Sequence, residues 1–122
     1  MKYHRVYADD NGESLCEEVA VARSRAGFAP PAPPVDLSSS IQGANMVFLR
    51  LSAGWYGAAH PVPRRQLTVL LAERRKPASV TTRYDGYGPG SVLQCEDTCG
   101  KGHTSRVAGD EPVLIAVVQL PD

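Results

Sequence analysis

Residues 88–120 read GPGSVLQCEDTCGKGHTSRVAGDEPVLIAVVQL. Three apolar runs, Ser91–Cys95, His103–Val107 and Val113–Leu120, are separated by Gly88-Pro89-Gly90, by Gly100 and Gly102, and by Asp110-Glu111-Pro112. Each run is too short for a helix and rich in Val, Leu and Ile, which pack well on a pleated surface. Glycine and proline supply the φ angles that turns need and interrupt ladder pairing. The stretch therefore predicts three short strands with tight connections.

The same pattern extends toward the N-terminus. Met46–Leu51, Leu67–Leu71 and Ser79–Tyr84 are further strand candidates, with Gly54, Pro61 and Gly86 between them. Lys2–Tyr7 alternates and ends at Asp9-Asp10-Asn11-Gly12, a turn signal, while Leu15–Val21 reads equally as a strand or a brief helix. Phe28–Pro34 (FAPPAPP) cannot donate to a ladder, so it predicts an extended, polyproline-like strap on the surface. Many short strands about ten residues apart indicate a sandwich or a closed barrel. At 122 residues the chain fits one domain: 1–44 as N-terminal strands and strap, 45–122 as the core.

Composition excludes several function classes. Acidic and basic residues balance at thirteen each, and Arg74–Lys76 is a short cluster beside Glu73 without a stacking platform, so no nucleic-acid partner is expected. No apolar stretch approaches a membrane span, and MKYHRVYADDNGE carries charge where a secretory leader would be apolar. Three cysteines do not form a disulfide framework. A cytoplasmic protein with reduced thiols is the expectation.

Chemistry concentrates around two histidines. His60 lies in GWYGAAHPVPRRQ (54–66); in extended backbone, His60, Val62, Arg64 and Gln66 would share a face. His103 follows the glycine turn of EDTCGKGHTSR (96–106) and heads a strand. Two imidazoles on separate strands can converge in a barrel interior, where they suit proton transfer or metal binding near neutral pH. Each can equally be a hydrogen-bonded core histidine, and His4, on an edge strand, reads as structural or exposed. Asp97 could orient His103, serve as a base, or be a solvated turn carboxylate. Cys95, Cys99 and His103 lack the fourth ligand and the knuckle of structural zinc. Arg50 either points inward or lies at the rim. If inward, it would join Arg64 in favouring an anionic ligand. Trp55 and Tyr56 could wall the mouth or pack on a second subunit.

Gly54, His60 and Gln66 resemble the first motif of the cupin family, G-x5-H-x-H-x3-E-x6-G, with Val62 at the second histidine, Gln66 for the glutamate and Glu73 at the closing glycine. Gly100 and His103 resemble the second, P-x-G-x2-H-x3-N, with Thr98 for the proline and Val107 for the asparagine. AAHPVPRRQ, GPGSVLQCEDTCGKGHTSR and GDEPVLIAVVQLPD are similar to small bacterial cupin-domain proteins. The stretch 71–87 departs, lacking their alternation and glycine turn.

The resemblance implies an all-β, double-stranded β-helix (jelly-roll) barrel, a small-molecule pocket around His60 and His103, and a homodimer. It also implies metal ligation by His60, Gln66 and His103, with iron, manganese, nickel or zinc as the ion. Because Val62 and Gln66 remove a histidine and a negative charge, acid/base chemistry by His60 and His103 without metal is the companion expectation. Arg50, Val62, Arg64, Gln66, Trp55 and Tyr56 would line the pocket. An isomerase- or cyclase-like enzyme and a non-catalytic binding or sensing barrel both fit.

Overall fold

A computed structural model of the chain describes residues 1–72 and 82–121. Among these the fold is all-β, with no helix: β1 (Lys2–Ala8), β2 (Ser14–Ala20), β3 (Arg23–Ala26), β4 (Val35–Ser38), β5 (Asn45–Leu51), β6 (Tyr56–His60), β7 (Gln66–Leu71), β8 (Arg83–Tyr84), β9 (Val92–Cys95), β10 (His103–Ala108) and β11 (Val113–Gln119). The first half of the strand expected at 79–84 lies outside the described residues, and its end is β8. Leu15–Val21, ambiguous in sequence, is strand.

Six strands form one sheet in the order β2-β1-β9-β7-β11-β5, and three form another, β6-β10-β8. All neighbours are antiparallel except β1 and β9, which run parallel over His4–Val6 and Leu93–Cys95. The β1–β2 turn is the one Asp9 marks: its Oδ1 accepts the backbone N–H groups of Asn11 and Glu13, at 2.8 and 2.9 Å.

The two sheets pack on a shared apolar core. Alternation puts Val113, Ile115 and Val117 of β11 on the inner face, clustered with Val107 of β10 and Leu51 of β5. A second cluster joins Val62, Leu70, Leu93 and Cys95. Tyr84 of β8 touches both clusters. Its position is set by the Asp85-Gly86 turn, where φ is 50° and 83° and Tyr84 and Tyr87 exchange two 2.8 Å backbone hydrogen bonds. That is a type I′ hairpin turn, in which Asp-Gly is a preferred pair. A glycine turn, expected to be lacking from 71–87, therefore exists.

The proline stretch also differs from expectation. β3 and β4 pair from Arg23↔Ser38 to Ala26↔Val35, so FAPPAPP is the loop of a hairpin and not a continuous strap. Within it Ala32 N–H donates to Ala29 C=O, and Pro30–Pro31 is cis. The prolines, unable to join the ladder, are confined to the connection.

The sheet edges contrast. On edge strand β2, Glu17 and Glu18 are exposed, and edge charges of this kind discourage pairing with another chain. On β5, Met46 and Phe48 on one face and Val47 and Leu49 on the other are all substantially exposed. Arg50 is its single charge.

Candidate functional site

The site is built where β6 and β10 meet. His103 pairs in register with His60, and Ser105 with Gly57. Two steps on β10 thus match three on β6, a bulge that keeps His60 on the same side as His103. The ring centroids are 5.9 Å apart with planes inclined by 34°. The approach depends on Gly102, whose φ is 71°; a Cβ there would lie 1.9 Å from the His60 carbonyl carbon. No side chain fits, so the glycine ahead of His103 is a packing requirement.

His103 is held from behind. Asp97 is 0% exposed, and its Oδ2 accepts the His103 Nδ1–H at 2.6 Å and the Ser14 Oγ–H at 2.7 Å. Its Oδ1 is buried with no hydrogen-bond partner among the described residues. The Asp97 carbonyl accepts Val62 N–H at 3.1 Å, so the 96–102 turn is tied down by backbone as well. With the proton of the neutral ring on Nδ1, Nε2 carries the lone pair. The arrangement resolves the open reading of Asp97: it orients His103 and is not a solvated turn carboxylate. His60 Nδ1 likewise donates, to Ala58 C=O at 2.6 Å.

His103 lines a pocket of about 530 Å³ between the six-stranded sheet and β8–β10. Tyr84, Tyr87, Thr68, Leu93 and Cys16 contribute to its wall. Burial pushes the Tyr84 phenol up, while a hydrogen bond with Ser105 acts the other way. Burial, then the charge of Asp97, pushes the Cys95 thiol up to about 12, so it packs as a small apolar group. His4 meets Tyr87 with tilted rings, 4.6 Å between centroids, a structural role; β1 lies between β2 and β9, so His4 is not on the edge strand expected for it.

The other expected site residues fall elsewhere. His60 is exposed, on edge strand β6 beside the pocket and not on its wall. Residues 61–65 form no strand, so the shared face of 60, 62, 64 and 66 does not arise. Val62 is buried in the core, and Arg64 Nε donates to Leu120 C=O at 2.9 Å. Gln66 opens β7, half-buried, in register with Cys95 and Gln119. Arg50 lies on the outer face of β5, because its partner Leu114 alternates with inward Val113 and Ile115. Trp55 folds its ring over Gly57, and Tyr56 is exposed; neither is on this pocket's wall. Cys99 is exposed while Cys95 is buried, so they make no zinc knuckle with His103.

Among the described residues, no group of three or more His, Cys, Asp or Glu side chains converges to hold a metal. Both histidines offer Nε2, as ligating histidines do. However, two imidazoles and the neutral Gln66 amide supply neither the charge nor the donor number of a divalent-ion centre. Among the described residues, the side chains at this site do not make up a divalent-ion centre.

Ser14, Tyr84 and Tyr87 were missed by sequence reasoning. Asp85-Gly86 was a signal for the turn carrying both tyrosines. Nothing local marks Ser14, whose role depends on the long-range approach of β2 to the 96–102 turn. No helix among the described residues is long and apolar enough to cross a membrane. The chain matches no family model, no curated protein and no solved structure.

Proposed function

We propose that the two sheets are the walls of a cupin-like β-barrel whose pocket binds a small molecule, with His103 as the proton-transferring group. The observation that carries this reading is the 2.6 Å hydrogen bond from His103 Nδ1 to a fully buried carboxylate. A solvent-facing histidine needs no such support. A histidine that must present one nitrogen repeatedly does, because the partner fixes both tautomer and ring orientation. His60, 5.9 Å away, is placed to relay a proton to solvent. The chemistry is that of an isomerase or cyclase: Nε2 takes a proton from a carbon next to a carbonyl, the C–H pair forms C=C as the C=O π pair moves onto oxygen, and C=O re-forms when the proton is returned to another carbon of the conjugated enolate.

The test is a screen of small ketones by ¹H–¹⁵N correlation spectra, followed by incubation of the binders in D₂O. Shifts centred on His103, Tyr84 and Thr68 support the pocket; shifts that avoid them sink it. Deuterium incorporation at the α-carbon, abolished by His103→Gln, supports catalysis. Binding without incorporation favours the non-catalytic module.

The same reading makes the protein a homodimer through β5. Antiparallel self-pairing about Phe48 sets Met46 opposite Arg50 and Val47 opposite Leu49, so like charges do not face one another. The pairing would cover four large apolar side chains left exposed on this edge.

A further inference from the structure

The charges around the pocket limit what can enter it. Its wall is mostly apolar, with Val6, Leu15 and Leu93 among the lining residues. Among the described residues, its formal charges are Asp85, Arg106 and, behind His103, Asp97. Arg106 is exposed, and its backbone N–H donates to Asp85 Oδ1 at 2.8 Å. An anion would therefore meet two carboxylates and a guanidinium already solvated. A cation would find Asp97 sealed and doubly bonded through Oδ2. Asp85, half-buried on the wall, already accepts the Arg106 N–H, so among the described residues neither sign of charge has an unengaged partner able to replace its lost water. Arg50 and Arg64, the residues that would favour an anion, are placed away from this wall.

One wall group is a donor in waiting. The Tyr87 ring is fixed by the type I′ turn and by His4, but among the described residues its hydroxyl meets only the Cys16 sulfur, at 3.7 Å. A thiol is a weak partner. Tyr84, by contrast, is bonded to Ser105 and packed into both core clusters. Burial, then the hydrogen bond with Cys16, pushes the Tyr87 phenol up to about 12, so at neutral pH it retains its proton.

We propose that the pocket selects an uncharged, largely apolar molecule carrying a carbonyl or similar acceptor oxygen, and that Tyr87 donates the hydrogen bond that holds this oxygen. The inference rests on the small-molecule reading above and adds to it the ligand's charge class and a specificity-determining residue.

The test uses three planar probes of one size: 2-acetylnaphthalene, 2-naphthoate and 2-naphthylmethylammonium. Affinities are measured by calorimetry on the full chain and on Tyr87→Phe, with naphthalene as a probe lacking the oxygen. The ketone is expected to bind about tenfold or more tighter than either ion. Tyr87→Phe should weaken the ketone about fivefold and leave naphthalene unchanged. Tighter binding of either ion, equal loss for ketone and naphthalene, or no binding of any probe overturns the proposal. Ketone binding with these preferences but without α-deuterium exchange upholds it while removing the catalytic reading of His103.

Discussion

Asp97 combines complete burial with two donors on one oxygen and, among the described residues, none on the other. A carboxylate is costly to bury, and its retention is understandable if its partners need it more than the core needs an apolar residue. Its removal should therefore register at His103 and Ser14 as well as in stability. Asp97→Ala is expected to cost about 2–4 kcal/mol in denaturant unfolding, since two part-buried donors lose a charged acceptor. The sharper readout is ¹⁵N shifts of the His103 ring. The wild-type neutral ring should hold its proton on Nδ1, whereas the variant should show substantial Nε2–H, the tautomer commoner in free imidazole side chains. A tautomer indifferent to the substitution would remove Asp97 from the site and leave it a structural carboxylate.

Elements differ in how far local sequence prescribes them. β9, β10 and β11 follow directly from apolar runs with glycine and proline between them, and β1, β5 and β7 from the same signal. His103 was legible as a site residue because it heads a strand behind a glycine turn. His60's exposure was not, because it depends on β6 being an edge strand, a property of sheet order and not of GWYGAAHPVP. The β3–β4 hairpin was hidden by its own loop: the prolines drew attention as a strap while the flanking RSRA and VDLS carry little strand propensity. Edge status likewise decides the fate of β5, whose apolar residues look like core in sequence yet leave Phe48 71% and Met46 55% exposed. If β5 pairs with its counterpart in a second copy, Phe48→Lys should convert a dimer to a monomer. Charge at the centre of the pairing would oppose its own copy, and the dissociation constant should rise about tenfold or more. Sedimentation velocity across a concentration series checks this. A wild-type chain that sediments as a monomer throughout would leave the exposed edge without that partner.

At the scale of the whole molecule, the pocket is a joint construction. Val6, Ser14 and Cys16 of the N-terminal hairpin form part of its wall; hydrogen bonds from Ser14 to Asp97 and from Lys101 N–H to Gly12 C=O tie the hairpin's turn end down, and its strands join the large sheet through the short parallel β1–β9 ladder. That junction is reinforced by Glu96, whose carboxylate accepts Arg5 Nε–H at 3.1 Å, bonds the Gln94 amide, and lies 3.8 Å from Arg65; its backbone N–H also reaches Val6 C=O. Arg5 further bridges to Glu17 of β2 at 2.8 Å. Burial alone would push the Glu96 carboxyl up, but the hydrogen bonds from Arg5 and Gln94 and the nearby guanidinium charges together hold it below its ordinary 4.5. The folded state therefore favours the ionised form more than the unfolded chain does. The resulting stability is present above pH 4.5 and disappears as the pH falls through the depressed value. Because the partners are partly exposed, solvent screening limits this contribution to about 1 kcal/mol. Glu96→Gln should thus lower stability at pH 7 by about that amount and reduce the further loss between pH 5 and 3, measured by urea unfolding at each pH. Ligand affinity should track the same acid limb, since undocking β1–β2 removes one wall of the pocket. An acid limb unchanged in Glu96→Gln would assign acid sensitivity to other carboxylates and the hairpin's docking to its backbone pairing and its contacts with the 96–102 turn.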